Sequence, residues 1–146
     1  MNLIFDLDGT LIDASDRLYQ LFQDIVYESH LTKEEYWKQK RDKVNHKMLL
    51  ERCFPTIDFE SFNNQWMNLI EDIHYLNLDV NYADTISVLE SLTEANRLVL
   101  LTARQSKDRL YQELDRLRIL RFFETILVTE GKRDKEELLR EAINDG

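Results

Sequence analysis

The sequence predicts an α/β protein in which helices flank a parallel sheet, with an all-helical segment inserted after the first strand. In the second half of the chain, short apolar runs alternate with apolar residues at helical spacing, which is typical of strand–helix–strand units. Between about residues 16 and 78 the spacing is helical throughout. Only three Gly and one Pro occur in 146 residues, too few for a fold with many tight turns.

Composition excludes several classes of protein. A formal net charge of −9 disfavours binding to nucleic acid or to an anionic membrane surface. A single cysteine, Cys53, excludes an internal disulfide and a multi-cysteine zinc site, and we expect it to be buried. No apolar run reaches the roughly 18–20 residues of a membrane span. No signal peptide is visible, so we expect a cytoplasmic protein.

The first predicted element is a strand, followed by a helix. Residues 2–7 form a short apolar run that Gly9 breaks, and the run is typical of a strand buried on both faces. From about Asp16 to His30 the apolar residues follow helical spacing, which predicts one amphipathic helix.

Two more helices are predicted before the sheet resumes. Thr32 and Glu35 have capping-box spacing, and we expect the helix that they open to run toward Pro55. A third helix begins after Asp58 and carries an aromatic stripe. We interpret that stripe as core of the helical segment; it consists of Phe59, Phe62 and Trp66.

Strands and helices then alternate to the end of the chain. The predicted strands are residues 97–102 and 125–129, and Asp134 with Glu137 has capping spacing for the last helix. Parallel strands with right-handed crossovers account for this order. We therefore predict a sheet domain of residues 1–14 and 80–146 and a helical domain of residues 15–79.

Polar side chains follow the predicted strands where each of them ends. Asp6 and Asp8 follow the first strand, Thr102 ends the second, and the loop after the third carries Lys132 and Lys135. Ligands of open parallel sheets bind at this edge. One carboxylate can act as a nucleophile or metal ligand and the other as a general acid and base. A hydroxyl and a lysine can hold an anionic group, so the set is suited to phosphoryl transfer.

These segments resemble the signatures of the haloacid dehalogenase-like (HAD) superfamily. Residues 5–13, reading FDLDGTLID, resemble its first signature, and residues 98–104, reading LVLLTAR, resemble the second. Gly131 and Lys132, before a capped helix, resemble the third. The resemblance covers the whole chain. It implies a Rossmann-like three-layer core of the phosphatase type, with a helical cap inserted after the first strand.

The resemblance also implies roles for individual residues. Asp6 would be the nucleophile that becomes an aspartyl-phosphate, and Asp8 would protonate the leaving group and then activate water. Both would bind Mg²⁺, Asp6 by its carboxylate and Asp8 by its backbone carbonyl. Thr102 would hold the transferring phosphoryl group. Further candidates for substrate phosphate binding are Gly9, Ala103 and Arg104, although Arg104 is equally compatible with a surface position.

Two lysines compete for the role of the family's catalytic lysine. That lysine commonly lies in the loop about three residues before the helix. If Asp134 caps the helix, Lys132 has this position and is the preferred candidate. Lys135 would be the first helical residue and is the alternative.

The fourth signature of the superfamily, an acidic residue that completes the Mg²⁺ site, has no counterpart. Neither Asp145 nor Glu130 matches its pattern. The predicted core therefore ends about one strand and one helix early, which would leave the apolar first strand at an exposed edge. We expect a homodimer contact to cover that edge, or a longer natural chain.

The function that these motifs favour is Mg²⁺-dependent hydrolysis of a small phosphorylated metabolite through an aspartyl-phosphate. Two alternatives remain open because the fourth acid is missing: a catalytically impaired HAD-like module used for binding or regulation, and an incomplete fragment of a longer phosphatase. Phosphatase and phosphomutase both use the same two aspartates. The sequence does not identify the substrate.

Overall fold

Strands and helices alternate along the chain, of which the computed structural model describes residues 1–144. Within this range the strands are β1 (Asn2–Phe5), β2 (Ile12–Asp13), β3 (Val80–Asn81), β4 (Arg97–Thr102) and β5 (Thr125–Val128). The helices are α1 (Ser15–Ile25), α2 (Lys33–Arg41), α3 (His46–Cys53), α4 (Phe59–Leu69), α5 (Ile73–Leu76), α6 (Thr85–Thr93), α7 (Lys107–Arg116) and α8 (Lys135–Asn144). A 3-10 turn spans Leu120–Phe122.

Strands β1, β4 and β5 form a parallel sheet in the order β1–β4–β5. Leu3 of β1 pairs with Leu98 of β4, and Leu100 of β4 pairs with Ile126 of β5. The predicted α/β class with a parallel sheet is confirmed. The outer side of β1 pairs with no other strand in the part of the chain that the structure describes.

Helices pack on this sheet through the alternating side chains of β4. Leu98 and Leu100 belong to a buried apolar cluster that includes Leu110 of α7. Val99 points to the opposite face, where it lines a cavity of about 180 Å³ together with Ala142 of α8. Full burial of a leucine side chain contributes roughly 1.5–3 kcal/mol. Burial therefore fixes β4, the strand that ends at Thr102.

A small antiparallel ribbon joins β2 and β3, and the sequence pattern did not predict it. Ile12 pairs with Asn81, and Asp13 pairs with Val80. The side chain of Thr85 donates a hydrogen bond to the carbonyl of Leu11 at 2.6 Å, which holds the start of α6 beside the ribbon. Strands of two residues are too short to show a period of two in the sequence.

The chain divides into two compact units. One contains Met1–Ala14 together with the chain from Asp79 onward, and the other is Ser15–Leu78. The first unit holds the parallel sheet and the ribbon. The second holds helices α1 to α5.

The helices of the second unit are shorter than the apolar spacing predicts. The helix predicted to reach His30 ends at Ile25, and the side chain of Ser29 bonds to Gln23 in the turn that follows. The predicted helix after Thr32 is two helices, α2 and α3. Lys43, with φ +62°, interrupts them, and the side chain of Asn45 caps α3 by accepting from the Met48 amide.

Aromatic side chains form the core of the second unit. Phe22 and Tyr36 are buried at its centre, and their ring centroids lie 5.1 Å apart. The predicted role of the α4 stripe is confirmed, because Phe62 is buried in this cluster and Trp66 packs against it. The prediction for Cys53 is wrong: it ends α3 on the exposed side of that helix.

Candidate active site

The two aspartates of the first signature lie in the loop directly after β1. The carbonyl of Leu7 accepts a hydrogen bond from the Leu11 amide at 3.0 Å, which turns the chain back toward the sheet. Gly9 has φ +79°, and a Cβ at that position would meet no atom within 4 Å. The left-handed conformation, rather than a lack of space, therefore explains the glycine.

Asp6 forms an ion pair with Lys135. The Nζ atom of Lys135 lies 2.7 Å from Oδ1 of Asp6, and both side chains remain partly exposed. Lys135 is the first residue of α8. The Asp134 carboxylate caps this helix by accepting a hydrogen bond from the Glu137 amide at 2.7 Å. The cap and the lysine that reaches Asp6 are thus neighbours in sequence.

The preferred lysine of the sequence prediction, Lys132, has a different environment. It is exposed, and its backbone amide donates to the carbonyl of Thr129 in the turn before α8. Glu130 and Gly131 both have positive φ in this turn, at 54° and 69°. The contact with Asp6 that the structure records is made by Lys135, one helical residue beyond the turn.

The end of β4 brings Thr102 to the same edge of the sheet. Thr102 is buried, and its carbonyl accepts a hydrogen bond from the Thr129 amide at 3.1 Å, which ties the ends of β4 and β5 together. Ala103, the next residue, is exposed. The carboxyl ends of all three parallel strands therefore converge, as expected for this class of sheet.

Arg104 is buried rather than on the surface, and its guanidinium binds carboxylates. Its Nε and Nη2 atoms each donate to one carboxylate oxygen of Asp8 at 2.9 Å. Nη2 also donates to Oε1 of Glu113 at 2.9 Å and lies 3.6 Å from Oδ2 of Asp79. Burial disfavours the charged guanidinium, but Asp8 and Glu113 outweigh that effect and raise the pKa of Arg104 above its ordinary value.

Sequence reasoning missed Asp79 and Glu113. Asp79 gave no signal, because it lies in a loop far along the chain from Asp8. Glu113 did leave a signal, since it occupies the apolar face of α7 between Leu110 and Leu114. An acidic residue within a leucine stripe indicates a buried partner of opposite charge.

The residues near Asp6 fit a magnesium ion that has few protein ligands. Asp6 offers a carboxylate and Asp8 a backbone carbonyl, both hard oxygen donors, whereas the Asp8 side chain is engaged by Arg104. Mg²⁺ commonly binds one or two carboxylates and completes its shell with water and substrate phosphate. Within residues 1–144, no group of three or more His, Cys, Asp or Glu side chains is arranged to hold a metal. Asp145 lies outside the described residues, and Glu130 is exposed in the loop after β5.

The sheet unit is thus a parallel α/β domain with a carboxylate pair and a lysine at its carboxyl edge. The sequence matches the haloacid dehalogenase-like hydrolase family over residues 3–145. The chain belongs to this family. A search of curated protein sequences found no significant match.

Several solved structures share the fold of this chain. A haloacid dehalogenase-like hydrolase from Streptococcus pneumoniae is 20% identical, with a TM-score of 0.74 over 99% of this chain and 69% of its own. A predicted phosphatase from Clostridium acetobutylicum is 19% identical, with a TM-score of 0.69 over 99% of this chain and 69% of its own. A magnesium-bound HAD-hydrolase structure from Bacillus subtilis is 20% identical, with a TM-score of 0.57 over 89% of this chain and 64% of its own.

None of the helices in residues 1–144 combines the length and the apolar character that a membrane span requires.

Proposed function

We propose that this protein hydrolyses phosphate monoesters of small metabolites through an aspartyl-phosphate on Asp6. The observation that carries the proposal is the Asp6 carboxylate, which lies just past β1 with Lys135 2.7 Å away and Asp8 two residues beyond. A carboxylate can act as the nucleophile, and the adjacent cation offsets part of the negative charge of its phosphorylated form.

In the proposed reaction, Asp6 forms and then releases the bond to phosphorus, and Asp8 transfers the protons. An Asp6 oxygen attacks phosphorus and forms the acyl-phosphate bond while the ester P–O bond breaks. The leaving alcohol receives its proton from Asp8. Water then attacks the same phosphorus and releases Asp6, and Asp8 takes the proton of that water. This proton replaces the one given to the leaving alcohol, so the steps balance.

Positive charge and hydrogen bonds supply the remaining stabilisation. Lys135 neutralises the phosphoryl oxygens beside Asp6, and the Thr102 hydroxyl is the candidate donor to one of them. A magnesium ion held by the Asp6 carboxylate and the Asp8 carbonyl would reduce the repulsion between the nucleophile and an anionic substrate. The magnesium-bound Bacillus subtilis structure supports the choice of metal.

Hydrolysis of an aryl phosphate with and without Mg²⁺ tests the proposal. We expect metal-dependent turnover in the wild-type chain and none above background in Asp6→Asn, which keeps the shape of the side chain but is a poor nucleophile. If the folded wild-type chain shows no turnover with Mg²⁺, the alternative is favoured: a HAD-like module that binds without catalysing.

A matched pair of variants tests the choice of lysine. Lys135→Met is expected to reduce kcat by roughly 100-fold or more, since it removes a cation at developing charge. Lys132→Met removes the same charge three residues earlier, and we expect it to retain activity within about threefold. A larger loss in Lys132→Met than in Lys135→Met would contradict the assignment.

A further inference from the structure

The buried guanidinium of Arg104 links Asp8 to the interior of the first unit. Both oxygens of the Asp8 carboxylate accept from one edge of the guanidinium. A bidentate pair of this kind fixes the plane of the carboxylate as well as its position. The Asp8 side chain is 38% exposed and that of Arg104 is 4% exposed, so the pair joins a partly exposed carboxylate to a buried guanidinium.

The position of Arg104 depends in turn on Glu113. Nη2 is the one nitrogen that both carboxylates share, because it donates to Asp8 Oδ1 and to Glu113 Oε1 at 2.9 Å each. The remaining nitrogen, Nη1, is buried and has no hydrogen-bond partner among the described residues. Glu113 therefore restrains the guanidinium at the same nitrogen that Asp8 binds.

Placing a glutamate at position 113 costs free energy, because its carboxylate is removed from water. Its side chain is 1% exposed and occupies the leucine stripe of α7, where another leucine would pack without the cost of desolvating a carboxylate. Its Oε2 atom makes no hydrogen bond within residues 1–144, so the network is not arranged to satisfy Glu113 itself. Its Oε1 atom is used on the guanidinium, of which Nη1 likewise has no hydrogen-bond partner among the described residues.

We infer that Glu113 is a positioning residue: it fixes the Arg104 guanidinium, which holds Asp8 as an oriented carboxylate, the form that takes the proton of the attacking water. The inference rests on the proposed function of Asp8. Asp79, which is fully buried and 3.6 Å from the same Nη2, adds a second negative charge on the interior side. A group that transfers a proton must keep its geometry within about 0.5 Å, and the buried guanidinium supplies such a restraint to Asp8.

Variants at position 113 separate positioning from simple packing. Glu113→Met keeps a side chain of similar length but no acceptor, and Glu113→Gln keeps the acceptor oxygen. We expect kcat for an aryl phosphate to fall roughly 10- to 100-fold in the Met variant, with KM within about twofold, because the acceptor for the proton of the attacking water is misplaced. The Gln variant should recover to within about threefold of wild type. Asp115→Asn, an exposed acid on the same helix, should leave kcat and KM unchanged.

A spectroscopic measurement tests the contact without relying on turnover. The Arg104 Nε–H signal in a ¹H–¹⁵N spectrum should exchange slowly with solvent in the wild-type and Gln variants. In the Met variant it should shift and exchange at least about tenfold faster. An Arg104 signal that is unchanged in a folded Met variant would overturn the inference.

The two proposals fail in different ways. A wild-type chain that never turns over with Mg²⁺ overturns the proposed function. A wild-type chain that turns over, but whose Met variant has the same kcat and only lower stability, overturns the role of Glu113.

Discussion

Burial disfavours the charged form of two basic side chains, Arg104 and His46, but only His46 loses its charge. Arg104 remains charged because carboxylates surround it. Burial, followed by the nearby charge of Lys40, lowers the pKa of His46 to about 3, so its ring is neutral at pH 7. Nε2 of His46 lies 2.8 Å from the hydroxyl oxygen of Tyr36, and its ring packs 4.4 Å from that of Trp66. His46 is therefore part of the aromatic core.

Acidification is expected to destabilise the protein through His46. The ordinary pKa of histidine is 6.5, so between pH 6.5 and about 3 the unfolded chain binds a proton that the native chain does not. The contribution of His46 to stability is complete above pH 6.5 and falls by at most about 1.4 kcal/mol per pH unit below it. Urea unfolding at pH 7 and pH 5 measures this loss.

A variant isolates the histidine from the carboxylates that also titrate. Wild type should lose about 1–2 kcal/mol more between pH 7 and pH 5 than His46→Gln, which cannot bind the proton. His74→Gln, at an exposed position, should behave like wild type. Equal losses in wild type and His46→Gln would contradict the argument.

Helix α8 links the stability of the fold to the position of one site residue, Lys135. Its capping residue, Asp134, directly precedes Lys135, so fraying of the first turn would move the lysine that contacts Asp6. Asp134→Ala is expected to lower the free energy of unfolding by about 1 kcal/mol, because the Glu137 amide loses its acceptor. Chemical unfolding measures the change.

The conservative variant provides the control for the cap. Asn caps nearly as well as Asp, so Asp134→Asn should lose only a few tenths of a kcal/mol. If the Ala and Asn variants are equally destabilised, the negative charge at the helix start, rather than the capping hydrogen bond, accounts for the effect.

The sequence predicted the strands and helices whose apolar residues recur at a regular spacing. The three parallel strands and the Asp134 cap follow from apolar runs and capping spacing, and Asp6, Asp8 and Thr102 follow from their positions at strand ends. The breaks within the helical segment depend on single turns, such as Lys43 at positive φ, which apolar spacing does not record. The partners of Arg104 depend on side chains brought together by tertiary folding, 96 residues apart for Asp8.

At the scale of the whole molecule, the outer side of β1 pairs with no strand among residues 1–144. Ile4 is 37% exposed, and the strand carries no charged side chain between Asn2 and Phe5. An apolar edge of this kind favours pairing with another strand. We expect the chain to form a homodimer through β1, with a sedimentation coefficient that rises with concentration.

A charge placed on the edge tests this expectation. Ile4→Lys should move the equilibrium toward monomer, because a lysine on an edge strand opposes further pairing. Val88→Lys, at an exposed position on α6, should leave it unchanged. A wild-type chain that sediments as a monomer at every concentration would argue against the dimer.

The β2–β3 ribbon has a consequence for how such a chain can change over evolution. The helical unit leaves the sheet unit after Ala14 and returns at Asp79, on two strands that are already hydrogen-bonded partners. The entropy of closing a loop grows only slowly with its length. Segments of very different size could therefore be exchanged at this junction while the ribbon holds the chain ends at a constant spacing. Selection could then alter one unit while the carboxylates, Lys135 and the Arg104 network of the other stay in place.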